Sequence, residues 1–162
     1  MRNPRIEEIF AGLARSAGPQ GLMRSLEQAG AAVEKPVRRL SGLTLTAKAA
    51  YAALLYRATA RPLVLVVDGS KQAEALFPAL ANFCGLLDVP HPPMLIPALD
   101  VLPGQPMSPH ADILAARAEA LDRLSNGRGG IVLMPVAAAL TRTNPPEYYR
   151  QLTLTLRLHE EI

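Results

Sequence analysis

Short apolar runs constrain the fold of this chain more than any other feature of its 162 residues. Leu63–Val67 and Ile131–Met134 are uninterrupted aliphatic runs, and such continuous apolarity is typical of strands that are buried on both faces of a parallel sheet. Met94–Ile96 is a shorter run of the same kind. Segments of helical composition separate the runs, and strands that alternate with helices predict an α/β fold built from βαβ units.

The segments between these strands predict the helices of the domain. Ala47–Ala60 is rich in alanine and leucine, which are strong helix formers. Ser70 is a candidate N-cap for a second helix, which Pro78 should bend or shorten. Ser108 and Pro109 predict the start of a third helix, with serine as the N-cap and proline at the first helical position. We therefore expect a three-layer α/β domain with a mostly parallel sheet.

Hydrophobic patterning also predicts how the chain is divided. Residues 1–35 have helical spacing in two pieces and predict a helical N-terminal arm, followed by an α/β lobe over residues 36–162. Val37–Leu40 is a short candidate strand at the start of the lobe. Leu152–Leu158 alternates leucine with polar residues, which predicts a half-exposed strand. We expect the chain to stop there, at the start of a second domain of a longer protein.

The prolines mark one further segment. Of the 15 prolines in the chain, seven lie between Asp88 and Pro109. Proline lacks a backbone N–H and has a restricted φ, so a segment this rich in proline is expected to be mostly extended.

Composition excludes several classes of protein. The single cysteine excludes a disulfide framework and a zinc cluster. A net charge of +3 permits contact with nucleic acid without requiring it, but aromatic residues are only 4% and a single-strand binder needs stacking platforms. Several arginines are scattered along the chain, which favours solvated faces or local salt bridges over a phosphate track. They are Arg38, Arg39, Arg117, Arg123, Arg128 and Arg142. Without a signal peptide or a membrane-spanning segment, we expect a cytoplasmic protein.

One segment resembles a phosphate-binding loop, G-x-x-x-x-G-K-[ST], between a candidate strand and a helix. Gly42 and Lys48 have the spacing of this motif, with Thr46 before the position of the second glycine. Ala47 replaces that glycine, so a Cβ intrudes where the backbone must approach phosphate. Ala49 replaces the Ser/Thr whose hydroxyl holds Mg²⁺. The residues leave a working nucleotide site, a degenerate loop and a plain strand-turn-helix open, and they argue against Mg-ATP hydrolysis. We expect no catalytic residue, metal or cofactor here.

Two other patterns resemble catalytic motifs more weakly. Leu63–Val67 followed by Asp68 resembles a Walker B motif, but many strands end this way before a helix cap. Ser108, His110 and Asp112 contain the residue types of a catalytic triad, whose members usually come from separated loops. A capped helix with an acidic residue in its first turn is the simpler interpretation.

Collinear segments of the chain resemble the bacterial transcription-repair coupling factors, the Mfd family. The similarity in order and spacing is to the N-terminal UvrB-homology module of that family and covers roughly residues 38–162. The matching segments are residues 40–49, 62–67, 99–103, 108–113 and 130–136. The resemblance implies a helicase-like lobe with a degenerate phosphate loop that has lost its ATPase function.

What the resemblance implies for function is a non-catalytic scaffold lobe. Its parent would be an ATP-dependent DNA translocase that removes stalled RNA polymerase and recruits nucleotide-excision repair through UvrA. ATP and Mg²⁺ would belong to the motor domain of the parent, and UvrA, RNA polymerase and DNA would be bound through domains beyond this chain. No UvrA-binding residue is carried over, because in this family that surface lies mainly on the second domain. The alternatives are an active P-loop ATPase and a DNA-contacting lobe like that of UvrB.

Overall fold

The structure is a computed structural model that describes residues 4–16, 18, 20–24, 37–101 and 106–152. The helices are α1 (Pro4–Ala14), α2 (Leu45–Thr59), α3 (Ser70–Leu86), α4 (Ala111–Ser125), α5 (Val136–Ala139) and α6 (Pro146–Leu152). The strands are β1 (Leu63–Val67), β2 (Met94–Leu95) and β3 (Ile131–Pro135). Residues 20–24 are helical as well.

The three strands form one parallel sheet in the order β1-β3-β2. Leu63 is paired with Ile131 on one side of the central strand, and Met94 is paired with Val132 on the other. The structure thus confirms the predicted α/β class and the parallel sheet, since the strands that are adjacent in space are separated by helices along the chain.

The central strand β3 divides the core into two halves. Ile131 and Leu133 are fully buried in a cluster on one face, with apolar residues of α2 and α3. Val132, between them in sequence, belongs to the opposite cluster with Ala120 of α4 and Ala138 of α5. Successive side chains of a strand point to opposite faces, so one strand supplies both halves of the core. Helices therefore cover both faces of the sheet, as the prediction of three layers requires.

The prediction that both faces of β1 are buried is wrong. Leu63 and Leu65 are partly buried against the cluster of α2 and α3, but Val64 and Val66 are 61% and 53% exposed. The cause is the position of β1 at one edge of the sheet, because α4 on the opposite face packs mainly on β2 at the other edge.

The predicted strand at Val37–Leu40 is also wrong. These residues are a loop without strand pairing, and Val37 is 93% exposed. A strand needs a neighbour to bond its backbone N–H and C=O groups, and the described part of the chain places none beside this segment.

The predicted helix starts are displaced by one or two residues. Gly69 rather than Ser70 is the N-cap of α3, and it makes no side-chain cap hydrogen bond. Helix α4 begins at Ala111 with His110 as its N-cap, so Ser108 does not cap it. Helix α3 also continues through Pro78 to Leu86 instead of ending early. Proline removes only one helical hydrogen bond, and burial of the apolar side of α3 stabilises the helix on both sides of it.

Two arginines of α4 hold the proline-rich segment against the domain. The Arg117 guanidinium donates from Nη1 to the carbonyl oxygen of Pro97 at 2.7 Å, and Arg123 donates from Nη2 to that of Pro92 at 3.0 Å. These carbonyls flank β2, so α4 orients the strand as well as covering it.

Helix α1 packs against the lobe. The rings of Phe10 and Phe83 meet edge-to-face with centroids 5.7 Å apart, and Leu13 contacts the same core cluster. The boundary at residues 35 and 36 lies outside the described residues and stays a prediction. At the other end, Leu152 is the last residue of α6 rather than the first of a strand, and the rest of the predicted strand lies outside the described residues.

None of the helices in the described part of the chain combines the length and apolarity that a membrane crossing needs.

Candidate functional site

The segment that resembles a phosphate-binding loop is the start of helix α2. Thr44 is the N-cap: its hydroxyl accepts a hydrogen bond from the N–H of Ala47 at 3.2 Å. Its carbonyl accepts from the N–H of Lys48 at 2.9 Å. The helix therefore begins at Leu45, upstream of Lys48. In a phosphate-binding loop, backbone N–H groups point at the phosphate, whereas here those of Ala47 and Lys48 are bonded to Thr44.

The side chain at position 49 lies in the core. Ala49 is 0% exposed and belongs to the cluster between α2, α3 and the sheet. A phosphate-binding loop has at this position the hydroxyl that holds Mg²⁺. In this chain the position packs against apolar neighbours, while Lys48 next to it is exposed. Gly42 has φ +75°, a conformation that favours glycine, and forms the bend before the helix.

A cavity of about 560 Å³ lies beside Lys48, along the outer edge of β1. Its lining includes Leu45, Lys48, Val64, Val66, Asp68 and Gln72. The structure thus brings together Lys48 and Asp68, which the sequence offered only as parts of two separate motifs.

The charged side chains that line this cavity are exposed to solvent. The N–H of Asp68 donates to Oε1 of Gln72 at 3.0 Å, which fixes the backbone between β1 and α3. The side chains of Lys48 and Asp68 are exposed. Among the described residues, no group of three or more His, Cys, Asp or Glu side chains could hold a metal ion. One exposed cation at a helix start attracts anions only weakly.

The residue types of a catalytic triad form a helix start instead. The N–H of His110 donates to both carboxylate oxygens of Asp100, at 3.2 and 3.3 Å. Nδ1 of His110 accepts from the N–H of Asp112 at 3.4 Å. The carboxylate of Asp112 lies 3.6 Å from the same nitrogen, with both side chains largely exposed. This is the predicted capped helix with an acidic first turn, although His110 is the cap in place of Ser108.

The single cysteine is not placed for nucleophilic chemistry. Cys84 is buried on α3 within the core cluster. Burial raises the pKa of its thiol to about 11. Because the thiolate is the reactive form, a thiol that remains protonated at neutral pH is a small apolar core group.

Three of the arginines in and after α4 bind groups of the fold. Arg117 is buried, 7% exposed, on the carbonyl of Pro97. Burial lowers the pKa of its guanidinium from the ordinary value, and the nearby phenol of Tyr149 opposes this shift. Arg128 pairs with the carboxylate of Asp122 at 3.3 Å. The predicted local salt bridge is confirmed at Arg128, while Arg117 and Arg123 bind backbone carbonyls.

The sequence analysis did not predict two features of this site. The cap at Thr44 had a readable signal, because threonine directly before an alanine-rich helix is a preferred N-cap. The cavity had none, since it depends on which strand lies at the edge of the sheet. Val64 and Val66 look like core residues in the sequence and line the cavity in the structure.

Comparison with known proteins gives a partial match. A stretch of 63 residues, 39% of this chain, is 35% identical to a transcription-repair-coupling factor from Haemophilus influenzae and covers 6% of that protein's length. No protein-family model matches the chain, and no solved structure matches it. Over that stretch, the chain is similar to a transcription-repair-coupling factor, in agreement with the family that the motifs indicated.

Proposed function

We propose that this chain is a non-catalytic scaffold lobe of a transcription-repair coupling factor. The observation that carries the proposal is the similarity of 63 residues, at 35% identity, to a protein of that name. Its parent would be an ATP-dependent DNA translocase that removes stalled RNA polymerase and brings in nucleotide-excision repair. ATP, Mg²⁺, RNA polymerase and DNA would be bound by other parts of that parent.

The geometry at Lys48 supports a lobe without ATPase activity. The N–H groups that would surround a phosphate are bonded to Thr44, and the position of the Mg²⁺-binding hydroxyl is the buried Ala49. No strand precedes the loop within residues 37–44, although strand–loop–helix is the context in which a phosphate-binding loop works. A scaffold lobe can keep its fold while it lacks all three features.

Mg-ATP should bind this chain no more tightly than about millimolar. One exposed lysine supplies too little interaction free energy against the cost of association. The measurement is isothermal titration calorimetry of the chain with Mg-ATP. Lys48→Ala should give the same result as the unchanged protein, and so should Lys71→Ala, a matched change of an exposed lysine on α3.

The opposite result would support the alternative of an active P-loop ATPase. Micromolar binding that Lys48→Ala abolishes and Lys71→Ala leaves intact would contradict the scaffold proposal. A double change, Ala47→Gly with Ala49→Ser, restores the two missing residues of the motif and shows whether they alone limit binding. We expect no gain, because Thr44 still starts the helix upstream of Lys48.

UvrA should not bind tightly to this chain alone. The resemblance places the UvrA-contacting surface on a domain that follows the alternating segment at Leu152–Leu158. The local candidate for an anchor in the sequence is the pair Tyr148 and Tyr149 with Arg150. Of the two tyrosines, Tyr148 is 45% exposed. Tyr149 beside it is engaged in the fold: its Oη accepts from the N–H of Asn144 at 3.1 Å, and its ring meets that of Tyr148 edge-to-face at 5.4 Å.

The test is surface-binding of purified UvrA to this chain and to a longer chain that includes the next domain. We expect binding to the longer chain only. Equal binding by both, weakened in the short one by Tyr148→Ala or Tyr149→Ala, would place the UvrA surface in this lobe. Leu140→Ala, an exposed apolar change outside α6, serves as the matched control.

A further inference from the structure

The asparagine at the end of helix α4 is followed by glycine, a pair that favours loss of the side-chain amide. The backbone nitrogen of the next residue can attack Cγ of an asparagine, and glycine has no side chain to hinder that attack. Of the four asparagines in the chain, Asn126 alone precedes a glycine. Proline, which has no N–H, follows Asn3 and Asn144. Asn82 precedes Phe83 inside helix α3. This chemistry is therefore concentrated at Asn126.

The reaction of Asn126 with Gly127 needs no partner except water. The Gly127 nitrogen forms a bond to Cγ of Asn126 and gives up its proton. The bond from Cγ to Nδ2 breaks, and Nδ2 takes a proton and leaves as ammonia. Water then opens the five-membered ring and leaves a carboxyl group, as aspartate or isoaspartate. Hydrogen bonds that hold either nitrogen slow the first step, because the side chain must turn toward Gly127 and the N–H must lose its proton.

The end of α4 holds both of these nitrogens in hydrogen bonds. Asn126 is the C-cap of the helix. Its Nδ2 donates to the carbonyl oxygen and to Oδ1 of Asp122, in each case at 2.9 Å. The N–H of Gly127 donates to the carbonyl of Leu124 at 3.1 Å. Ring closure therefore requires this end of the helix to open first, and helix ends are among the segments of a protein that open most readily.

The carboxylate of Asp122 is fixed in the position from which it binds the amide. The side chain of Asp122 is 17% exposed, and its Oδ2 accepts from Nη2 of Arg128 at 3.3 Å. One oxygen of the carboxylate thus binds Asn126 and the other binds Arg128. A carboxylate formed at position 126 would place a negative charge beside this one, and like charges oppose closing of the cap.

We propose that Asn126 is a site of spontaneous deamidation and that Asp122 is the positioning residue that sets its rate. While the cap is closed, Asp122 holds the amide away from Gly127. Each opening of the helix end exposes the pair to attack, and the loss of ammonia makes the change permanent. This proposal does not depend on the proposed function, because the reaction involves only the chain itself and water.

The test is mass spectrometry of the peptide that contains Asn126, after incubation of the full chain at neutral pH. Asp122→Ala removes one hydrogen bond from the amide and should speed deamidation about tenfold, the effect of one bond to a charged group. Asp122→Asn keeps an acceptor oxygen and should restore most of the protection. Arg128→Ala is the matched control, because it breaks the other contact of the carboxylate and leaves the amide held.

Unfolding in urea provides the reference rate. There the unchanged protein and all variants should deamidate at one common rate, faster than the folded protein. This comparison tests the protection without any substitution, and circular dichroism without urea shows that each variant is folded. A folded protein that deamidates as fast as the unfolded chain would overturn the proposal. Equal rates for Asp122→Ala and the unchanged protein would do so as well, and so would an equal acceleration by Arg128→Ala.

Discussion

Replacing Leu80 by alanine should destabilise the folded chain by about 2–5 kcal/mol. Leu80 is 0% exposed, on the side of α3 that packs against the sheet in the larger core cluster. The cost combines the apolar contacts that are lost with the cavity that is left, because a packed core relaxes only in part. Domains of this size are stable by about 5–15 kcal/mol, so the change removes a large share of the total.

Urea unfolding followed by circular dichroism measures this effect. Leu140→Ala removes the same atoms from a side chain that is 81% exposed, and should change the free energy of unfolding by less than about 0.5 kcal/mol. Equal unfolding midpoints for the two variants would contradict the packing of α3 on the sheet.

Replacing Arg117 by alanine should cost about 1.5–3 kcal/mol, the range for hydrogen bonds made by charged groups. Its guanidinium is buried on the carbonyl of Pro97 at 2.7 Å, and removal leaves that carbonyl without its donor. The packing of the proline-rich segment beside β2 depends on this contact. The same unfolding experiment measures the loss.

Two further variants separate the causes of that loss. Arg117→Met keeps most of the packing and removes the donor, so it should still destabilise the protein if the hydrogen bond matters. Arg128→Ala breaks a surface pair with Asp122, and such pairs contribute only about 0–1 kcal/mol. A loss at Arg117→Met as small as that at Arg128→Ala would show that the bond to Pro97 contributes little.

The candidate site shows which features residue patterns can predict and which they cannot. The sequence alone showed that Gly42 and Lys48 have the spacing of a phosphate-binding loop. It also showed that Ala47 replaces the second glycine of that motif and that Ala49 replaces its hydroxyl residue. The early start of α2 is a local effect too, since it follows from the cap at Thr44. The sequence did not show that Lys48 and Asp68 line the same cavity. Those residues come from different elements, and only the packing of α2 beside β1 places them together.

The three strands of the parallel sheet were predictable from the sequence alone, because aliphatic runs such as Ile131–Met134 can be buried only when helices cover both faces. The strand predicted at Val37–Leu40, which is not such a run, does not form. The order of the strands was decided by the tertiary structure. Two nearly identical aliphatic runs differ in their burial: Val132 on the central strand is 2% exposed, whereas Val64 on the edge strand is 61% exposed. An apolar side chain favours burial. Whether it is buried depends on which elements the crossover connections place on each side of its strand, and those connections depend on the whole chain.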